Sequence, residues 1–180
     1  MIYMFLAEGF EETEALAPLD LIRRASLEIK TVGVGKTLIT GAHGITVTAD
    51  ITDSELDLST DIEAVILPGG MPGTLNLDAC PTVHAALDAA SKGDSIIAAI
   101  CAAPMILGKK GLLEGRDAIC YPGFEEHLVG ARISDKKVVR DGKFITAKGM
   151  GVAVEFGLEL VKALKDAEAA EKIKAAIMAD

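Results

Sequence analysis

The chain has 180 residues, of which 50% are hydrophobic, and it carries a formal net charge of −9 at pH 7. This length fits one domain with a substantial core. The acidic charge and the scattered lysine and arginine residues exclude a nucleic-acid surface, and no apolar run reaches the ~20 residues of a membrane helix. The three cysteines, Cys80, Cys101 and Cys120, form no CxxC pair, which predicts a reducing, cytoplasmic setting.

Strand and helix patterns alternate along the chain. Strands are predicted at 2–6, 29–34, 64–67, 96–100 and near 118–120, and helices at 12–25, 81–92, just after residue 101, 152–164 and 166–178. Hairpins are predicted over 37–49 and around the turn dipeptide Asp141-Gly142, with strands at 137–140 and 143–146. Such alternation predicts a mostly parallel sheet with helices on both faces, a flavodoxin-like three-layer αβα sandwich.

Cys101 stands between a continuous apolar run, 96–100, and a helix that has Pro104 in its first turn. A thiol at such a strand-to-helix turn lies near backbone N–H groups and the positive end of the helix dipole. We expect these surroundings to favour the thiolate, which is the nucleophilic and oxidisable form. The alternative is a buried cysteine that packs as a small hydrophobic side chain.

Three loops are expected to meet around this cysteine. The first strand is followed by Glu8–Glu14, the strand at 64–67 by Pro68-Gly69-Gly70, and the strand at 96–100 by Cys101. Because functional sites of open α/β sheets lie outside the carboxyl ends of the strands, a thiol, a carboxyl group and backbone amides are predicted to come together.

Four motifs occur in order along the chain: Gly-Phe-Glu-Glu-Thr-Glu, Val-Ile-Leu-Pro-Gly-Gly, Ala-Ala-Ile-Cys-Ala-Ala-Pro and Ile-Thr-Ala-Lys-Gly-Met-Gly. Together they resemble the DJ-1/PfpI superfamily, also called ThiJ, and in particular its small one-domain members. The resemblance implies one DJ-1/PfpI-like domain over 1–180, with the class I glutamine amidotransferase-like form of the αβα sandwich.

The resemblance also implies roles for individual residues. Cys101 matches the reactive cysteine of the nucleophile elbow, and Glu14 matches a glutamate that stays protonated and hydrogen-bonds the sulfur. The backbone amides of Gly69, Gly70 and Ala102 are expected to bind an oxyanion. The plainer alternatives are an acidic residue that supports the helix dipole for Glu14, and an ordinary turn for the glycine pair.

Tyr121 departs from the pattern of the family. Some relatives carry a histidine before the proline that matches Pro122, whereas tyrosine, with an ordinary pKa of ~10, is a poor base near neutral pH. We therefore expect Tyr121 to shape the pocket, and a Cys–His dyad is in doubt. His43, His84 and His127 have no dyad or metal-ligand spacing and are interpreted as surface or packing residues.

Two function classes follow from the resemblance. The first is glyoxalase or deglycase chemistry on methylglyoxal-type dicarbonyls, without glutathione, metal or another cofactor. The second is an oxidative-stress sensor or chaperone in which Cys101 is oxidised to a sulfinate. The expected partners are a small aldehyde or glycated substrate and a second copy of the chain in a homodimer, but neither nucleic acid nor a membrane.

Overall fold

The fold is seen in a computed structural model that describes residues 1–59 and 61–179. The strands are β1 Ile2–Leu6, β2 Ile29–Gly33, β3 Leu38–Thr40, β4 Thr46–Thr48, β5 Ile51–Thr52, β6 Ala64–Leu67, β7 Ile96–Ile100, β8 Asp117–Ala118, β9 Arg132–Ile133, β10 Val138–Asp141 and β11 Phe144–Ala147. The helices are α1 Glu12–Arg24, α2 Gly73–Asp78, α3 Pro81–Ser91, α4 Pro104–Lys109, α5 Ala153–Leu164 and α6 Ala167–Ala176. Short 3-10 turns lie at Asp53–Glu55, Glu125–His127 and Met150–Val152.

Within residues 1–59 and 61–179, the main sheet has seven strands in the order β10-β11-β7-β6-β1-β2-β5. Neighbouring strands are parallel, except that β10 runs antiparallel to β11. Every residue of β1, β6, β7 and β11 is buried, which explains the continuous apolar runs of β1, β6 and β7. β11 also contains Thr146, whose hydroxyl accepts a hydrogen bond from the Ile119 N–H. The predicted mostly parallel sheet is confirmed.

Helices cover both faces of this sheet. On one face α1, α5 and α6 pack over a core that includes Ile22, Ile66 and Phe156. On the other face α2, α3 and α4 pack over a second core that includes Phe5 and Leu87. The architecture is therefore the predicted three-layer αβα sandwich. Among the residues described, no helix is both long and apolar enough to cross a membrane.

The two predicted hairpins are present, the first as β3 paired with β4 and the second as β10 paired with β11. The second turn is one residue later than predicted. Asp141 pairs with Phe144 inside the ladder, so Gly142 and Lys143 form the turn. Gly142 takes a φ of +60°, a left-handed conformation in which glycine is favoured.

Several short elements differ from the sequence prediction. The strand expected near 118–120 is β8 at 117–118, where it pairs with β9. The elements β5, β9 and α2 were not predicted. Two-residue strands carry no alternation to detect, and the six residues of α2, which begin with a glycine, are too few for a helical period.

The topology places the site between β1 and β6. From β1 the chain passes to β2 on one side, whereas from β6 it passes to β7 on the other side. Such a reversal opens a crevice outside the carboxyl ends of the two strands, where open α/β sheets bind their ligands.

Candidate active site

Cys101 occupies the sharp turn between β7 and α4. Its φ is +63°, a left-handed conformation that is uncommon for any residue other than glycine. The Cys101 N–H donates to the Ala147 carbonyl at the end of β11, at an N···O distance of 2.9 Å, which ties the turn to the neighbouring strand. The predicted strand–cysteine–helix arrangement is thus confirmed. Backbone strain at one such residue is a common mark of a functional site.

Glu14 lies in the first turn of α1, and its side chain points into the crevice. Only 1% of the residue is exposed. Its Oε2 accepts a hydrogen bond from the Gly69 N–H at 2.9 Å. The Cys101 thiol and the Met150 N–H lie close enough to the carboxyl group to lower its pKa, but Oε1 has no hydrogen-bond partner among the described residues. One carboxyl oxygen is therefore fixed by a backbone donor, and the other is buried without a hydrogen-bond partner.

Gly69 and Gly70 allow three loops to meet at this point. A Cβ atom at Gly69 would lie 2.6 Å from the Cβ of Cys101 and 2.6 Å from Oε2 of Glu14, so any side chain there would separate the two groups. Gly70 has a φ of +90°, and its N–H and that of Ala102 interact with the Cys101 sulfur. The Gly69 N–H holds Glu14, so the amides that face the sulfur are those of Gly70 and Ala102.

Burial controls the protonation of both groups. It raises the pKa of Glu14 to about 7, and repulsion by Glu11 acts in the same direction. It also raises the pKa of Cys101 to about 12, with a further rise from the charge of Glu14 that the N–H groups of Gly70 and Ala102 only partly offset. The expectation that the surroundings favour the thiolate is wrong, because burial and the neighbouring carboxylate raise the pKa of the thiol more than the two N–H groups lower it.

Tyr121 lines a shallow groove beside this pair. Its N–H donates to the Cys101 carbonyl at 2.8 Å, and 51% of the residue is exposed. The groove has a volume of about 400 Å³ and is lined by Tyr121, Pro122, Lys148, Gly149, Met150, Gly151 and Val152. A Cβ atom at Gly149 would lie 3.9 Å from Oε1 of Glu14, so the groove borders the buried carboxyl group. Tyr121, which was predicted to shape the pocket, therefore lines this groove.

The histidines lie apart from the thiol. His84 Nε2 contacts the Asp78 carbonyl at 2.7 Å, and His127 lies 4.0 Å from a Glu126 oxygen. His43 has a partner that the sequence did not indicate, because its Nδ1 lies 2.9 Å from Oε2 of the buried Glu12. Within the described residues, none of the three histidines forms a hydrogen bond with Cys101, and the doubt about a Cys–His dyad stands.

One cluster has the composition of a metal site. Donor atoms of Glu11, Glu12 and His43 lie within 4.8 Å of one another. Three of the four carboxylate oxygens already accept hydrogen bonds, however. Glu11 accepts from the Glu14 N–H at 2.7 Å as the N-cap of α1, and Glu12 accepts from the N–H groups of His43 and Ile45. The cluster therefore joins the start of α1 to the β3–β4 hairpin.

The sequence missed two parts of the site. The Ala147 carbonyl holds the Cys101 N–H, and only the strand pairing of β11 with β7 brings them together. The segment 149–151 forms a wall of the groove. The available signal for this wall was that the segment follows β11, a buried strand that pairs with β7, the strand before Cys101.

Comparisons with known proteins agree with this architecture. The sequence profile of the DJ-1/PfpI family matches residues 1–163. The protein dj-1beta of Drosophila melanogaster is 32% identical over 173 residues, which cover 94% of this chain and 92% of that protein. A deglycase from Pyrococcus abyssi is 30% identical over 167 residues, which cover 91% of this chain and 99% of that protein.

Two solved structures are similar over nearly their whole length. A mutant of a DJ-1 superfamily protein from Salmonella typhimurium superposes with a TM-score of 0.92 at 33% identity, covering 98% of this chain and 97% of the other. Oxidised DJ-1 of Toxoplasma gondii superposes with a TM-score of 0.94 at 30% identity, with the same coverage of 98% and 97%.

The fold and the site define an αβα protein with a cysteine at a nucleophile elbow and a buried glutamate beside it. The chain belongs to the DJ-1/PfpI family.

Proposed function

We propose that the protein converts reactive dicarbonyls to hydroxy acids, as a glutathione-independent glyoxalase or deglycase whose nucleophile is Cys101. The observation that carries this proposal is the contact between the Cys101 thiol and a Glu14 carboxyl group whose pKa is raised to about 7. A group with this pKa can both accept and donate a proton near neutral pH, which the rearrangement of a dicarbonyl requires.

The first step is addition of the sulfur to the aldehyde carbon. In its ionised form Glu14 takes the thiol proton, the sulfur forms a C–S bond with the aldehyde carbon, and Glu14 returns the proton to the aldehyde oxygen, giving a hemithioacetal. The raised pKa of Cys101 makes the thiol the resting form, so the nucleophile arises by proton transfer within the pair, which titrates as one unit. The N–H groups of Gly70 and Ala102 are the donors closest to the sulfur, and they stabilise the oxygen charge that develops there.

The second step moves a proton between neighbouring carbons. Glu14 removes the proton from the carbon bound to sulfur and returns one to the former ketone carbon, while the hydroxyl proton passes to the ketone oxygen, so that a thioester of a 2-hydroxy acid forms. Water then cleaves the C–S bond and releases the 2-hydroxy acid, lactate in the case of methylglyoxal, and the thiol. The aldehyde carbon is oxidised and the ketone carbon is reduced, so no external oxidant, reductant or cofactor is needed.

The deglycase reaction uses the same intermediate. When methylglyoxal has added to an amine, attack by Cys101 on the carbon that bears nitrogen releases the amine and forms the same hemithioacetal. The similarity to the Pyrococcus abyssi deglycase supports this substrate class. The half-exposed ring of Tyr121 borders an open groove, which is compatible with a substrate attached to a larger molecule.

The first test measures methylglyoxal consumption without glutathione and quantifies lactate, for the wild type and for Cys101→Ser. We expect lactate from the wild type and a loss of nearly all turnover in the variant, because serine lacks the nucleophilic sulfur. Turnover that survives in Cys101→Ser, or none in the wild type, would overturn the proposal. Circular dichroism of both proteins shows whether the variant is folded.

A second candidate function is redox sensing through Cys101. Cys101 is partly exposed, whereas Cys80 and Cys120 are 5% and 1% exposed. Each of two peroxide molecules would be reduced to water as the thiolate becomes a sulfenate and then a sulfinate, whose oxygens the N–H groups of Gly70 and Ala102 would bind. Mass spectrometry after mild peroxide treatment tests this, with oxidation expected at Cys101 and not at Cys80 or Cys120.

The cytoplasmic location and the homodimer stay predictions.

A further inference from the structure

Lys148 lies at the edge of the groove next to the thiol. It directly follows Ala147, the last residue of β11, whose carbonyl accepts the Cys101 N–H. Because β11 and β7 are neighbouring parallel strands, Lys148 and Cys101 emerge side by side from their carboxyl ends. Lys148 also lines the groove together with Tyr121 and Met150.

The charge of Lys148 is not neutralised by the protein. Other lysines near this end of the sheet have acidic partners, since Lys36 lies 3.0 Å from Glu8 and Lys137 lies 4.0 Å from Glu155. For Lys148, no carboxylate of the described residues lies within the 4.0 Å of an ion pair. An exposed ammonium group on a groove with walls of tyrosine, proline, methionine and valine is suited to bind an anion whose remainder is apolar.

The acidity of the rest of the site makes this lysine more important. Glu11 lies next to the Glu14 carboxyl group, which is partly ionised near pH 7, and the chain carries a formal net charge of −9. These charges repel an anionic substrate. A positive group on the groove beside the site would therefore decide whether such a substrate is admitted.

We infer that Lys148 selects dicarbonyl substrates that carry a carboxylate. The reacting end is a 2-oxoaldehyde, and the opposite end is an acidic group that lies along the groove against the Lys148 ammonium. This inference rests on the proposed function for the chemistry at Cys101, but the anion preference itself belongs to the groove. Lys148 acts here as a specificity-determining residue, since it binds the end of the substrate remote from the sulfur.

The first experiment compares two oxoaldehydes of equal chain length, anionic 4,5-dioxopentanoate and neutral 2-oxopentanal. We expect the ratio of their kcat/KM values, anionic over neutral, to fall about fivefold in Lys148→Gln, the size expected for one ion pair at a partly exposed site. Lys148→Arg should keep most of the ratio. Lys137→Gln removes a lysine charge outside the groove and should leave the ratio unchanged. Added salt should lower the ratio of the wild type.

The second experiment needs no turnover. 5-Iodopentanoate and 5-iodopentanamide alkylate a thiol by the same displacement of iodide, but only the first is anionic, and its carboxylate is as far from the reacting carbon as that of 4,5-dioxopentanoate. We expect the rate ratio at Cys101, measured by mass spectrometry at alkaline pH, to fall about fivefold in Lys148→Gln and not in Lys137→Gln. An unchanged ratio overturns the inference, whatever the oxoaldehydes do. A lower ratio without turnover of either oxoaldehyde supports the anion preference and overturns the proposed function.

Discussion

Two buried glutamates in the first turn of α1 have opposite electrostatic properties. Glu12 and Glu14 are 4% and 1% exposed, and both lie in the first turn of the same helix. Burial raises the pKa of each, but for Glu12 the hydrogen bonds from His43 and the Ile45 N–H reverse the effect and lower the pKa below its ordinary value. For Glu14 the hydrogen bonds from the thiol and the Gly69 N–H lower the pKa too little to offset burial, and the pKa stays raised to about 7.

The difference lies in the number of donors. Both oxygens of Glu12 accept hydrogen bonds, and these bonds fasten the β3–β4 hairpin to α1. Only one oxygen of Glu14 has a firm donor. A fully bonded carboxylate is a structural link, whereas one that is left partly unbonded beside a thiol can exchange a proton. The same residue type in the same turn thus serves the fold in one case and the proposed chemistry in the other.

The largest expected effect is a difference in methylglyoxal turnover between variants of the two glutamates. Glu14→Gln keeps the shape of the side chain but cannot take the thiol proton, so we expect methylglyoxal turnover to fall by ~10²–10⁴-fold. Glu12→Gln should keep turnover within about tenfold, because Glu12 does not touch the sulfur. Both variants are assayed by lactate formation without glutathione. Equal losses in both would mean that Glu14 acts only through the fold.

The next effect concerns stability and pH. The pKa of Glu14 is raised from 4.5 to about 7 on folding, so its protonated form stabilises the folded state. This contribution is complete below pH 4.5 and is lost as the pH rises through about 7, a change of about 3 kcal/mol. Because Glu14→Gln does not titrate, its free energy of unfolding should rise relative to the wild type as the pH increases.

Urea unfolding of the wild type and Glu14→Gln at about pH 5.5 and about pH 8 measures this change. The lower pH stays above the pI of about 4.8, where solubility is least. Because the interval covers part of the titration, about 2 kcal/mol of relative gain is expected for the variant. A difference that is independent of pH would show that Glu14 has an ordinary pKa, and the contrast with Glu12 would disappear.

Much of the fold could be predicted because buried strands have a direct signal. The apolar runs at 64–67 and 96–100 became β6 and β7 with the predicted bounds. The convergence of Glu14, Gly69 and Cys101 followed from the strand order that such runs imply and from the resemblance to the family. Helix α2 and strands β5 and β9 carry too few residues for any period, so only tertiary structure reveals them.

The protonation of the site could not be predicted in the same way. The sequence places Cys101 before a helix and so suggests a thiolate, but it does not give the burial that raises the pKa of the thiol. It also shows Glu11 and Glu12 as two adjacent acidic residues whose roles cannot be told apart. In the structure Glu11 is the N-cap of α1, and Glu12 binds a hairpin 31 residues later. Contacts at that separation depend on the whole fold.

A smaller effect tests the structural side of the comparison. Glu12→Gln removes the carboxylate that accepts hydrogen bonds from the His43 and Ile45 N–H groups, and leaves one amide oxygen for these donors. We expect a loss of about 1–2 kcal/mol in the free energy of unfolding near pH 7, measured by urea unfolding. Glu8→Gln removes an exposed carboxylate that accepts from the Thr40 N–H of the same hairpin and should cost less. A smaller loss in Glu12→Gln than in Glu8→Gln would contradict the role of Glu12 as the main link.

The smallest effect should come from His43, the exposed partner of Glu12. The hydrogen bond to Glu12 raises the pKa of His43 above its ordinary 6.5, so the charged ring stabilises the folded state. That contribution is complete below pH 6.5 and is lost as the pH rises through the folded-state pKa. His43→Ala should therefore lower the urea midpoint at about pH 6 and have less effect at about pH 9. In the Glu12→Gln background the same substitution should have little effect at either pH, since the carboxylate partner is gone. A loss in His43→Ala that grows with pH would show that the ring stabilises the hairpin by packing rather than by its charge.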